Sequence, residues 1–247
     1  VEDEISVINM SIGAGHMGAR SMCATSGGGL ALMTEAIGLS GMLETPVVVV
    51  NVMRAGPSTG VPTKTEQGDL NQALGASQGD FPRIIIAPLS MTDSFTTPGL
   101  AFNLADRYQC PVIILTDLLI AEGSETVDPA LLDVEVKSDR GELITAASPE
   151  DKSGEPYLRY KNTKSGISPR AVPGVPGHLH VAASDEHDED GVLLSDVYTD
   201  TVRRKKMADK RRRKMDTVLE HLPAQKLEGS PDAEVTLVGW GSTWGVL

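Results

Sequence analysis

Three runs of this sequence are apolar on consecutive residues: VVVVNV at 47–52, RIIIA at 83–87 and VIILTD at 112–117. A strand with one face in water alternates apolar and polar residues, whereas a strand buried on both faces does not. The segments between the runs have helical spacing. Residues 3–17 carry Ile5, Ile8 and Ile12, with Asp3 and Glu4 in the first turn, where negative charge suits the helix dipole. Residues 30–42 make a second helix, with Gly38 and Gly41 permitting close packing. Residues 70–76 make a short third helix, and residues 91–108 a fourth with Phe95, Leu100, Phe102, Leu104 and Ala105 on a broad apolar side. A short strand of small residues, Ser21–Ala24, precedes the second helix. This alternation predicts an α/β fold, a parallel sheet with helices on both faces.

The character changes near Glu122. Residues 126–200 are rich in Asp, Glu, Pro, Gly and Ser and read as a loop-dominated extension, followed by a charged helix over 201–222. After Ser230-Pro231-Asp232, residues 234–239 read as the first strand of a further α/β unit, with WGSTWG as the turn behind it. The expected organisation is therefore 1–125, a first α/β domain; 126–229, the extension with its basic helix; and 230–247, the start of a second α/β domain. The chain reads as a segment cut from a longer protein.

The formal net charge of −12 argues against nucleic-acid binding and for a self-repelling surface, which would also suit a salt-adapted cytoplasm. No run approaches a membrane span. Cys23 and Cys110 lie far apart and read as buried thiols in a reducing, cytoplasmic setting; alone they cannot hold an iron–sulfur cluster. The basic run at 203–214 has no interleaved aromatics. It reads as a solvated helix face, or as one pairing with the acidic segment Asp185–Asp190. That segment, DEHDED, contains His187 but has no metal-site spacing and reads as a solvated loop. His178 and His180 share one side of an extended stretch and receive no role.

The residues able to do chemistry cluster at the end of the VVVVNV run. Arg54 follows it directly and opens a loop containing Ser58, Thr59, Thr63 and Thr65. A parallel strand that delivers a cation and hydroxyls from its C-terminal end is how open α/β sheets place ligand-binding groups. Arg54 either grips a carboxylate or phosphate bidentately or ties down its own loop through backbone carbonyls. Glu4 shares a helical face with Ile8, so it either points toward the core, where desolvation would raise its pKa, or merely favours the dipole. The Thr25–Gly29 turn, TSGGG, lacks the order of a phosphate loop; its glycines suit tight helix–strand packing or the close approach of another chain.

The stretches EDEISVINMSIGAGHMGARSMCATSGGGLALMTEAIGLSGM, RAGPSTGVPTKTEQGD and PVIILTD together resemble the alpha subunit of 2-oxoacid:ferredoxin oxidoreductases, most closely the 2-oxoglutarate type. The likeness resumes at GISPRAVPGVPG, at EHDEDG and at the basic helix. It implies the thiamine diphosphate-binding fold of pyrimidine-domain type, with the site shared with a beta subunit that holds the diphosphate and Mg2+. It implies CoA-dependent oxidative decarboxylation of a 2-oxoacid, with electrons passing through a [4Fe-4S] cluster on a partner chain or domain to ferredoxin. By the same resemblance Glu4 matches the glutamate that hydrogen-bonds the aminopyrimidine and promotes deprotonation of the thiazolium C2, with Glu2 as the fallback. Arg54 and Thr63 match residues that hold the substrate carboxylate, Ser58 adds a hydroxyl, and Lys64 is a candidate for a second carboxylate. TSGGG stands where TSGPG is commoner. The family's upstream YPITP-type motif precedes the matched region, which implies that this segment alone is inactive. Two other readings stand beside this one: a scaffold subunit that has lost its chemistry, or another thiamine diphosphate enzyme acting on sugar phosphates.

Overall fold

The computed structural model describes residues 1–148, 155–194, 200–224 and 227–247. In chain order the elements are α1 (Glu4–His16), β1 (Met22–Thr25), α2 (Gly27–Leu43), β2 (Val47–Met53), α3 (Leu70–Gly75), β3 (Ile84–Ile86), α4 (Met91–Tyr108), β4 (Pro111–Asp117) and α5 (Leu118–Glu122). Strands β5 (Leu143–Ile144) and β6 (Arg170–Ala171) and helix α6 (Thr201–Arg213) follow. The main sheet has the order β1-β2-β4-β3 with every pair parallel.

The unbroken apolar runs now have a physical reason. Val47, Val49, Met53, Ile113 and Leu115 face a core with Ile8 and Ile12 of α1 and Leu30, Met33 and Ile37 of α2. The intervening Val48, Val112 and Ile114 face the opposite core, built on Leu104 and Tyr108 of α4. Each strand feeds two cores, so its positions are apolar on both faces until the C-terminal ends, where Asn51, Thr116 and Asp117 lie. The expected doubly covered parallel sheet is the observed one.

Four local expectations need correction. Ile5 is 52% exposed, because the buried stripe of α1 is Ile8, Ser11, Ile12 and Gly15. Phe95 is also exposed, on the first turn of α4. Residues 234–239 form no strand: Val235, Leu237 and Val238 lie exposed, with no strand among the described residues beside them to pair with. The chain then enters a 3-10 segment, Gly241–Val246. The charged helix begins at Thr201 as expected but gives way to 3-10 turns over Lys214–Glu220.

The extension, part of which lies outside the described residues, packs back on the sheet domain through buried ions. Asp106 of α4 is 2% exposed and is held by Arg20 at 2.9 Å, Arg140 at 2.7 Å and Arg170 at 3.0 Å. At the N-terminal end of the sheet, Glu44 and Gln109 end α2 and α4 in left-handed conformation, each with φ 48°. Lys210 and Lys214 reach the Glu44 carboxylate at 2.5 and 2.9 Å, all three fully buried. Lys214 also donates to the Gln109 carbonyl, and Arg159 to the Glu44 carbonyl and the Gln109 side chain. Cations therefore meet the carbonyl ends of two helices, where the dipole favours them.

This corrects the reading of the basic run as a solvated face. Its surface cations do pair with the acidic segment, as Lys206 with Glu189 and Arg203 with Asp188, and the buried Arg211 pairs with Glu186. But Lys210 and Lys214 face inward. His187 is buried too, stacked on Tyr160 at 3.9 Å and within 3.2 Å of the Met42 carbonyl, so that segment is no solvated loop.

Candidate active site

Every parallel strand of the sheet points its C-terminal end the same way, and three of these ends converge on one edge. In the β1–β2 register Thr25 lies opposite Asn51, and Met53 of β2 lies opposite Asp117 of β4. Arg54 leaves the sheet directly after Met53. Its loop closes on itself: Val61 donates to the Ala55 carbonyl, Ala55 to Lys64 and Lys64 to Val61, each at 3.0 Å. The Gly56 amide donates to Glu66 at 3.2 Å. The loop is thus held by its backbone and Glu66, not by Arg54. The guanidinium is half-buried, and no hydrogen bond or ion pair reaches it from the described residues. Ser58, in left-handed conformation at φ 54°, and Thr63 are exposed, and their hydroxyls are likewise unbonded among the described residues. Thr63, Lys64 and Thr65 line a shallow depression with Leu118, Leu119, Glu122 and Gly123.

Glu4 lies at the neighbouring strand end. Asp3 caps α1 by accepting from the Ser6 amide at 2.7 Å, leaving Glu4 free to turn toward α2. A Cβ built on Gly29 would lie 2.8 Å from Glu4 Oε1 and would also collide with the Thr25 hydroxyl. Only glycine lets the carboxyl rest on the first turn of α2. Glu4 is half-buried and sits at the rim of the core, not within it; Glu2 is exposed. The TSGGG turn does serve close packing, as its composition predicts.

Sequence reasoning missed the groups that tie this edge together. Asp69 accepts from the buried Asn51 amide at 3.0 Å and presses against Gly27, where a Cβ would fall 2.6 Å from Oδ2. Gln72 donates to the Gly27 carbonyl at 3.0 Å. Gln67 donates to the Trp240 carbonyl at 2.9 Å, and Ser242 bonds the Asp117 carboxylate, so residues 240–242 lie over the ends of the loop and β4. The signal was present only in part: Asp69 and Gln67 stand in the EQGD run that closes the loop.

The remaining candidates lie elsewhere. His178 and His180 surround Tyr157, with ring centroids 4.8 and 5.7 Å away. Cys23 and Cys110 are buried free thiols, and burial pushes Cys110 up to about 11. A cleft of about 650 Å³ runs between the C-terminal half of α2, the Ser77–Phe81 loop and α6, remote from the Gly27–Gly29 turn.

A parallel α/β domain with an uncommitted arginine, hydroxyls and a carboxylate at its strand ends belongs among ligand-binding domains of the doubly wound class. The comparisons are more specific. The family described as "Pyruvate flavodoxin/ferredoxin oxidoreductase, thiamine diP-bdg" matches residues 1–208, and the chain belongs to that family. The alpha subunit of 2-oxoacid:ferredoxin oxidoreductase 1 from Sulfurisphaera tokodaii is 38% identical over 251 residues, covering 100% of this chain and 38% of that protein. The 2-oxoglutarate oxidoreductase subunit KorA of Mycobacterium tuberculosis is 37% identical over 247 residues, covering 99% of this chain and 36% of that one. A solved 2-oxoglutarate:ferredoxin oxidoreductase from Magnetococcus marinus, with 2-oxoglutarate, coenzyme A and succinyl-CoA bound, superposes with a TM-score of 0.86 at 37% identity, over 100% of this chain and 41% of that one. The chain thus spans well under half the length of these relatives.

Proposed function

We propose that this chain supplies the aminopyrimidine-facing half of a thiamine diphosphate site in a 2-oxoacid:ferredoxin oxidoreductase, with 2-oxoglutarate the favoured substrate. Arg54 carries this reading: a half-buried cation at a strand end, with no partner among the described residues, in a loop that holds its own shape without it. Water can reach such a half-buried group, so its five donors stay available for a ligand at little cost to the fold. A planar carboxylate matches its fork, and Ser58 and Thr63 offer hydroxyl donors beside it. Lys64, in the same loop, is suited to a second carboxylate, as in 2-oxoglutarate.

Glu4 fits the ring side of the cofactor. Its carboxyl rests on a glycine floor at the edge of the domain and is only half-buried. There it can hold a proton and share it with a ring nitrogen. Thiamine diphosphate, when bound, supplies the nucleophilic carbon and the electron sink that decarboxylation of a 2-oxoacid requires. The diphosphate and Mg2+ belong on the beta subunit, and the [4Fe-4S] cluster on a partner chain or domain. Coenzyme A accepts the acyl group, ferredoxin the electrons, and the cytoplasm is the compartment. The names of the relatives and the ligands in the Magnetococcus structure support this assignment.

The test is reduction of methyl viologen by the complete complex with CoA and a panel of 2-oxoacids, with parallel initial rates on 2-oxoglutarate and pyruvate. Reduction with 2-oxoglutarate preferred is expected. If no 2-oxoacid supports reduction, the assignment fails; if pyruvate is the faster, the substrate preference alone falls.

A further inference from the structure

The Arg54 loop and the Glu4 floor are separate pieces of chain, yet a shared site needs them in fixed relation. We propose that Asp69 is the positioning residue that fixes them to each other, an inference that rests on the site assignment above. The loop leaves the sheet at Arg54, and its hydrogen bonds out to Lys64 are internal, apart from its own Glu66. Its anchorage to the domain falls to the tail. There one carboxylate makes two contacts. Its Oδ2 accepts from Asn51 Nδ2, on β2, at 3.0 Å. Both its oxygens press on Gly27, 2.6 and 2.9 Å from where a Cβ would stand.

Gly27 opens α2, and Gly29, on which Glu4 rests, lies two residues further along the same turn. The Ser26 side chain makes no capping bond to α2. The Asp69 carboxylate therefore stands beside Glu4 as one of two anions at the positive end of this 17-residue helix. Asn51 is fully buried, and its Oδ1 has no hydrogen-bond partner among the described residues. Asp69 thus provides the one hydrogen bond that side chain makes there. Gln72, one turn along α3, adds a parallel bond to the Gly27 carbonyl. Movement of Asp69 carries the loop tail with it on one side and the floor of Glu4 on the other.

The experiment uses the complete complex with Asp69→Ala and the milder Asp69→Asn, read by hydrogen exchange and by kinetics. Loss of a charge-assisted bond predicts exchange about tenfold faster, in step, at the Leu30 amide of α2 and at the Ala55, Val61 and Lys64 amides of the loop. Asp69→Asn, which can still accept from Asn51, should fall between. KM for the 2-oxoacid should rise and kcat fall together, whereas Arg54→Leu should leave exchange in both segments unchanged. If only one segment loosens, or if Asp69→Ala lowers the melting temperature with KM and kcat intact, Asp69 is a structural cap and the proposal is wrong. The exchange data decide the coupling even if the complex reduces no viologen, in which case the site assignment fails separately. Should Asp69→Ala fail to assemble, exchange and kinetics of Asp69→Asn decide between the same two outcomes.

Discussion

The two ends of the sheet treat charge in opposite ways. Where β2 and β4 begin, Glu44, Lys210 and Lys214 are completely buried and pair with one another and with the ends of two helices. Where the same strands finish, Arg54 stands half-buried with no partner among the described residues, and Glu4 rests on a bare glycine turn. The first arrangement fastens an extension to a core. The second leaves binding capacity uncommitted, as a ligand site requires. The two ends should respond differently to substitution.

The largest effect should come from Glu44→Gln. It removes the anion between two buried ammonium groups, and breaking a buried pair in this way costs about 3–5 kcal/mol. Denaturant unfolding followed by circular dichroism should show that loss. A loss no larger than that of a surface substitution would mean that the clamp is not what holds the extension. Arg54→Leu is the counterpart. Stability should change by no more than about 0.5 kcal/mol, while KM for the 2-oxoacid in the complete complex rises on the order of 100-fold and thiamine diphosphate affinity holds. Equal losses of substrate and cofactor affinity would remove the carboxylate role.

Acid and base should also separate the ends, through the buried clamp. Burial alone would favour the neutral form of Glu44, but Lys210, Lys214 and Arg159 outweigh it and hold its carboxyl well below the usual range. That stability is present above the ordinary carboxylate pKa and is lost as pH falls below it. Lys210 is one of three cations sharing this carboxylate, and burial pushes it down to about 8 despite the attraction of Glu44. The folded chain then releases this proton before the unfolded chain does, so stability should rise as pH climbs from about 8 toward 9. Above that, Cys110 works the other way: burial raises it to about 11, so the unfolded chain loses its proton first. Unfolding midpoints at pH 7, 8 and 9, for the parent and Lys210→Met, isolate the lysine contribution; a rise that persists in the variant would assign it to another group.

The ends also differ in how far they could be read in advance. Strands buried on both faces announce themselves, because polar residues such as Asn51 are few in them and confined here to the C-terminal ends. Arg54 and Glu4 stand out as candidates in the sequence because a charge beside an unbroken apolar run, or near an apolar helical face, is locally out of place. The clamp was not legible from charge alone: Glu44 and Lys210 are 166 residues apart, and the run around Lys210 has the composition of a surface helix. Its spacing did hold a signal. Met207, Lys210, Arg211 and Lys214 recur at i, i+3, i+4 and i+7, the period of a buried face, and all four are buried. Asp69 escaped for another reason. A carboxylate just before a short helix reads as its cap, and its actual contacts, Asn51 and Gly27, belong to other elements.

The smallest effect probes the glycine turn itself. Gly27 and Gly29 are crowded by Asp69 and Glu4, but a Cβ on Gly28 would meet nothing within 4 Å. Its amide, at the second position of α2, has no intrahelical acceptor, and Gly27 before it has no Cβ for the ring to strike, so a proline there sacrifices no helix bond. Gly28→Pro restricts the unfolded chain and should stabilise the protein by about 0.4–1 kcal/mol, a rise in melting temperature of roughly 1–4 °C for a chain of this size. Viologen reduction by the complete complex should be unchanged. A stabilised chain with unaltered rates would mean that the openness of Gly28 is slack. A stabilised chain that no longer binds thiamine diphosphate would mean that the Gly28 amide, or the space above it, belongs to the site, and the uncommitted capacity of this end would then extend from the Arg54 loop to the α2 turn.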